Sequence, residues 1–322
     1  MEYPMQSPKL NLSHPLVFPC LLTLGFALTA RADVVGGELV GPQDPIRRST
    51  AALYEPSPDG RGGALCTASL IGKDVAVTAA HCVTPGSKPV LLFGGDVHSP
   101  DTIKRQVTAS LVNPAYGTKP GMDQGDIALV KFGGGVPVGY APVKTMTSDT
   151  AIQRGTTATL AGFGISNSKT KEGAGVLRKT DVTVENPRKG KSEMVLDQTH
   201  GHGACHGDSG GPAFVKQGGK MVLAGVTNRS YPNRAPDDCG HKVVYTKVSA
   251  YQNWIKQGEQ QLHASNGDPS AYAKHGAGSP RLMKATPSKG VRKRMTAKTT
   301  KRSAASKIAR TTPRKAKHIR HS

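Results

Sequence analysis

Between residue 33 and about residue 258 the apolar residues come in short runs: Ala64–Ile71, Val75–Ala79, Val90–Phe93, Ile127–Phe132, Thr156–Ala161, Met221–Val226 and Val243–Val248. Turn-forming residues separate the runs every dozen or so positions. Runs this short, repeatedly broken, cannot bury a helix face, and they predict an all-β sandwich or barrel. No alternation of strand-like and helix-like segments is present, which excludes a doubly wound α/β fold. One helix is predicted, from about Ser249 to Gln260. There Val248, Tyr251, Trp254 and Ile255 share a face and Ser249 can cap the N-terminus. Trp254 reads as plain core packing.

The charge is unevenly placed. The chain has 322 residues and a formal net charge of +21. Residues 265–322 carry 16 Lys/Arg against the single acid Asp268, so the remainder is close to an ordinary soluble protein. From about Leu262 onward Gly, Ser, Pro, Thr, Ala and basic residues dominate, a composition that cannot bury enough surface to order itself. Residues 262–322 are therefore expected to be a disordered basic tail. At the other end, the apolar stretch Leu16–Ala30 is too short for a comfortable membrane span and ends in Ala30-Arg31-Ala32. It reads as a secretory signal peptide over residues 1–32, followed by a folded domain over 33–261. Multipass membrane proteins are excluded. Cys20 falls in the discarded segment, because Val17-Phe18-Pro19 before it is a poor lipid-attachment signature. Four cysteines remain, Cys66, Cys82, Cys205 and Cys239. In an exported chain an even count suggests two disulfides with three connectivities open, whereas metal binding lacks any C-x-x-C spacing to support it.

Three short motifs carry chemistry. Gly207-Asp208-Ser209-Gly210-Gly211-Pro212 lets the backbone bend tightly and leaves a hydroxyl uncovered. The amides of Gly207 and Ser209 could point at one oxygen and stabilise an oxyanion. A serine hydroxyl needs a base, and Thr78-Ala79-Ala80-His81-Cys82 supplies one at the end of an apolar strand. The base needs a third group to hold its tautomer, and Asp126-Ile127-Ala128-Leu129 places an acid at the entrance to another. Asp123, without an apolar strand directly behind it, reads as a loop acid. Each motif alone is common; together, in the order His, Asp, Ser, they are specific.

On these motifs, with Val34-Val35-Gly36-Gly37, Val244-Tyr245-Thr246-Lys247 and Trp254-Ile255-Lys256, residues 34–257 resemble the chymotrypsin/trypsin family of secreted serine peptidases. The resemblance implies two six-stranded antiparallel β-barrels with a C-terminal helix and the active site between them. It implies His81 as general base, Asp126 as its orienting acid, Ser209 as nucleophile, and Gly207 and Ser209 as oxyanion-hole amides. It implies the disulfides Cys66–Cys82 and Cys205–Cys239, no cofactor, and a monomer acting on protein or peptide substrates. It further implies that a freshly cut Val34 would pair its ammonium with Asp208. Cleavage after Ala32 would leave Asp33 in front: Asp33 is then trimmed by another enzyme, or cleavage falls one residue later, or the one-residue extension is tolerated, and the reading adopted is Asp33 as a minimal activation segment. The family's pocket base falls at Gly203 and Ala204, with no acid, and the walls fall at Ser230 and Val243. Arg229 stands where the family often has an aromatic. A small or medium apolar preference follows, although Asp237 or Asp238 could reach the rim and favour a basic side chain. A basic preference would also digest the tail.

His200, His202 and His206 cluster in sequence, but a Gly-rich loop does not guarantee convergent ligands, so no metal is expected and His206 is read as lining the cleft. The tail is a flexible cation suited to anionic polymers or surfaces. Its only aromatic is Tyr272, so no nucleic-acid recognition by base stacking is predicted. A rival reading keeps the scaffold but makes the chain a binding protein that acts through this tail; the complete triad favours the exported peptidase.

Overall fold

The computed structural model describes residues 34–57, 59, 61–84, 87–118, 121–232, 239–264 and the backbone of 281–283. The expected signal peptide, Cys20, Asp33, Asp237, Asp238 and nearly all of the expected tail lie outside the described residues.

The first barrel is built from β2 (Thr50–Pro56), β3 (Gly63–Leu70), β4 (Val75–Thr78), β5 (Val90–Phe93), β6 (Ile103–Val112) and β7 (Ala128–Phe132). The ring runs β2-β3-β4-β7-β6-β5 and closes through a β5–β2 ladder. The second uses β8 (Thr157–Gly162), β9 (Arg178–Lys189), β10 (Glu193–Asp197), β11 (Pro212–Gln217), β12 (Lys220–Tyr231) and β13 (Lys242–Lys247). Its ring runs β9-β10-β13-β12-β11-β8 and closes through β8–β9. Every ladder within the two rings is antiparallel, as expected from the run pattern. Closure leaves no strand edge within either ring.

Each barrel is filled by its own inward side chains. Leu53, Leu70, Phe93, Leu111, Leu129 and Phe132 close the first. Leu160, Val182, Leu196, Ala213, Val243 and Tyr245 close the second. Phe93 meets Tyr140 edge-on at a centroid distance of 5.0 Å, one of the favoured aromatic geometries.

Three additions sit outside the rings. β1 (Glu38–Leu39) pairs with β9. A short helix, α1 (Pro45–Ser49), begins where Asp44 accepts a hydrogen bond from Ile46 N at 2.9 Å, with Pro45 preset for the first turn. A three-residue strand, β14 (Arg281–Met283), pairs with β6, in register Arg281 to Val112 and Met283 to Ser110. No ordered element was expected from the sequence beyond residue 261, so β14 is a departure from that expectation.

The C-terminal helix also differs from its expected bounds. Val248–Tyr251 form a 3₁₀ turn, and α2 runs Gln252–Ala264. Ser249 thus lies inside the 3₁₀ turn instead of capping the helix. The extra turn at the end is held by packing: Leu262 is fully buried, and Lys131 Nζ donates to its carbonyl at 3.0 Å. A Cβ on Gly258 would meet Leu129 and Leu111 at 2.7 and 2.8 Å, so glycine here lets the helix approach the first barrel closely. Chains ended after Gln261 and after Ala264 should therefore differ in urea unfolding. The shorter should be less stable by about 2–5 kcal/mol, the usual cost of losing a buried leucine.

Candidate active site

His81 lies in a 3₁₀ turn, Ala80–Cys82, directly after β4. Ala79 and Ala80 are buried and small, which lets the turn press against the barrel. The Cys66–Cys82 disulfide pins the turn to β3. Asp126, only 2% exposed, stands two residues before β7. Its Oδ1 accepts from His81 N at 3.0 Å, and its Oδ2 lies 2.7 Å from His81 Nδ1. A carboxylate only accepts, so Nδ1 carries the hydrogen and Nε2 is left with a lone pair.

Ser209 lies in the loop before β11 and reaches the same place through its backbone. Its carbonyl accepts from Thr67 N at 2.8 Å and sits 3.6 Å from the sulfur of Cys82, the residue after His81. Thr67 Oγ1 donates to Gly207 O at 3.0 Å and accepts from Phe163 N at 3.1 Å. Gly207 has φ +96 and a Cβ there would strike Gly164, so the turn requires glycine. The amides of Asp208, Gly210 and Gly211 are each spent on backbone carbonyls. Those of Gly207 and Ser209 donate to no acceptor among the described residues.

Ala204, His206, Ser209, Arg229, Ser230 and Val243 line one cavity of about 190 Å³. Ser230 and Val243 face each other across the β12–β13 ladder. Gly203 is buried beside the cavity, and its N donates to Val35 O at 2.8 Å. Cys205–Cys239 closes the rim.

A family model described as Trypsin matches residues 44–255. The chain belongs to the trypsin family. It is 25% identical over 253 residues to human granzyme M, covering 74% of this chain and 95% of that protein. To human kallikrein-11 it is 29% identical over 221 residues, 64% of this chain and 74% of that one. To the CLIP domain-containing serine protease B4 of Anopheles gambiae it is 26% identical over 242 residues, and it spans 65% of that protein's length. The structure of mouse neuropsin, titled a serine protease, superposes with a TM-score of 0.57 at 23% identity, covering 69% of this chain and 98% of that one. The two-barrel trypsin fold expected from the motifs is thus the fold of this chain.

Within this trypsin-family frame the other expected residues take definite places. Asp123 accepts from Lys191 N, Ser192 N and Ser192 Oγ, so it anchors the β9–β10 turn. His202 is bonded to Thr180 Oγ1 at 3.2 Å, and His206 lines the cavity. Val34 is buried, and Val35 bridges to Gly203. Asp208 is 2% exposed and accepts from Gly164 N and Cys205 N, each at 2.8 Å. Both donors are neutral, and burial pushes the Asp208 carboxyl up to about 6.

Several contacts around the site escaped the sequence reading. β12 carries a bulge between Thr227 and Arg229. The extra residue, Asn228, turns its side chain to Asp126. The amide is oriented with Nδ2 donating to Asp126 Oδ2 at 2.9 Å and Oδ1 accepting from Arg229 at 3.0 Å. The opposite orientation would set two acceptors face to face. Arg229 in turn grips Glu193, which is 1% exposed, with bonds of 2.9 and 2.8 Å, and donates to Gly121 O at 2.9 Å. Arg229 lies in the polar stretch beyond the apolar run Met221–Val226, and nothing there pointed to a partner 36 residues away. Gln198, which fills the space behind Gly203, carried no signal.

Arg229→Leu should cost about 3–5 kcal/mol in urea unfolding, because it strands the buried Glu193 carboxylate. The pair Glu193→Met, Arg229→Leu should recover most of that loss. Asp208 sets a pH dependence. A carboxyl that holds its proton more tightly folded than unfolded adds stability below its unfolded value of about 4 and stops adding it above its folded value. With the folded value at about 6, a chain with Asp33 still ahead of Val34 should lose on the order of 3 kcal/mol between those pH values. Asp208→Asn should flatten that window in a pH series of denaturation curves.

Proposed function

We propose that this chain is an exported serine endopeptidase that hydrolyses peptide bonds through an acyl-enzyme on Ser209. The observation that carries the reading is the buried Asp126 carboxylate bonded at 2.7 Å to His81 Nδ1, which leaves Nε2 as a base. In the proposed cycle Nε2 takes the Ser209 hydroxyl proton as the oxygen attacks the substrate carbonyl. Asp126 stabilises the imidazolium and keeps the ring oriented. The Gly207 and Ser209 amides receive the oxyanion. His81 then gives its proton to the leaving amine, and a water activated by the same nitrogen releases the acid product.

The proposed switch is the α-ammonium of a chain beginning at Val34. Asp208 is buried with neutral donors, so a cation arriving from the Val34 side would lower its pKa and fix the loop that carries Ser209. Removal of Asp33 is the step that would create that cation. A small or medium apolar side chain before the cut suits a cavity bounded by Ala204, Ser230 and Val243, with no acid among the described residues that line it. Two disulfides and the leader-like Leu16–Ala30 suit an oxidising compartment outside the cytoplasm. The 16 cationic residues of 265–322 suit retention near an anionic surface or polymer, with the enzyme working as a monomer on protein substrates.

A fluorophosphonate probe followed by mass spectrometry tests the core of this reading. Label on Ser209 in a chain beginning at Val34, and none on Ser209→Ala or on a chain retaining Asp33, is the expected pattern. Asp126→Asn should lower kcat by about four orders of magnitude, since the ring would then settle in the wrong tautomer. An unlabelled chain that begins at Val34 would overturn the proposal.

A further inference from the structure

We propose that Gln198 backs the floor of the primary pocket and sets its depth, so that short side chains fit and long ones do not. The inference rests on reading the cavity beside Ser209 as the primary pocket.

Gln198 follows the end of β10 and is 1% exposed. Its backbone is fixed on both sides, with N donating to His241 O at 2.9 Å and O accepting from Gly201 N at 3.2 Å. Its side chain turns inward. Oε1 accepts from Ala204 N at 2.7 Å. Nε2 donates to Ala204 O at 3.1 Å and to Cys239 O at 3.3 Å. Ala204 and Cys239 both line the cavity, so one carboxamide staples two of its walls from behind.

Gly203 shows where that carboxamide lies. A Cβ on Gly203 would fall on Gln198 Cγ, Cδ and Oε1. The volume into which a residue 203 side chain would grow is already occupied. Glycine at this position therefore does not signify a deep, empty pocket. It is the residue that lets Gln198 close the base. The cavity on the other side of Ala204 measures about 190 Å³. Both Nε2 hydrogens are donated and Oε1 accepts from Ala204 N, so three hydrogen bonds hold the carboxamide in place.

The test uses the processed enzyme and peptide p-nitroanilides that differ only before the cut: Ala, Val, norleucine and Phe. The unmodified enzyme should prefer Ala and Val over norleucine and Phe by tenfold or more. Gln198→Ala should raise the norleucine-to-Ala ratio of kcat/KM by about tenfold, as each newly buried methylene adds a few-fold. Gln198→Leu refills the space without the hydrogen bonds. It should leave that ratio within about threefold of the unmodified value while lowering the melting temperature. A second readout needs no catalysis. In the Ser209→Ala background, linear alkylamides of increasing length are titrated while the Ala204 amide is followed by NMR. Affinity should stop rising at a short chain unless Gln198 is alanine.

An unmodified enzyme that cleaves after norleucine or Phe as well as after Ala overturns the proposal without any variant. So does a folded Gln198→Ala enzyme with unchanged ratio and length limit, or a Gln198→Leu enzyme that shifts as far as the alanine variant. If no substrate is cleaved but the alkylamide limit moves in Gln198→Ala, the peptidase reading fails and the pocket floor stands.

Discussion

The Asp126 carboxylate is the point from which the two barrels are held together. It is buried, and it is bonded to the backbone and ring of His81 from the first barrel and to Asn228 from the bulge in β12 of the second. Its own carbonyl accepts from Thr246 Oγ1 on β13 at 3.1 Å. An isolated carboxylate at this depth would be costly; three donors to its two oxygens offset that cost and fix the ring beside it. Behind Asn228 the Arg229–Glu193 pair continues the chain of contacts to β10, so the orientation of one imidazole is tied to the register of two strands in the other barrel. In β12 this chain spends an arginine on holding that register.

Thr67 is the counterpart on the other side of the seam. It lies in β3 beside Cys66, and its backbone and hydroxyl contact Ser209, Gly207 and Phe163. Gly210 leaves no room for a side chain there, since a Cβ would meet Thr78 and the Thr67 carbonyl. Close approach of the Ser209 loop to the first barrel therefore depends on small residues on both sides. The disulfide from Cys66 anchors the same strand to the turn that carries His81. A single short segment, Cys66-Thr67, thus holds the His81 turn with its sulfur and the Ser209 loop with its hydrogen bonds.

Much of this was legible in the sequence because it is local. Strands such as Val75–Thr78 and Val90–Phe93 announce themselves as apolar runs between turn residues, and the loop at Gly207–Pro212 can be read from its glycines. What was not legible depends on pairing between distant segments. The bulge at Asn228 exists only relative to the register of β13, and nothing in Thr227-Asn228-Arg229 announces it. Gln198 sits between Asp197 and Thr199, where a polar triplet reads as a turn, and its burial follows from the loop that folds over it. The last turn of α2 looks polar in Glu259-Gln260-Gln261, and only the groove that receives Leu262 explains why the helix continues. Sequence placed the disordered boundary where composition changes, whereas packing against the first barrel sets the true end of the helix.

The seam also orders events in time. Its bonds close long stretches of chain: 45 residues between His81 and Asp126, 120 between Asp126 and Thr246, and 140 between Thr67 and Gly207. Contacts of such separation are entropically expensive until the intervening segments are already compact. Each barrel must therefore be largely built before the groups around Ser209 can converge. A nascent or half-folded chain has the residues but no assembled centre, and so the polypeptide is least able to cut at the stage when its own backbone is most open to being cut.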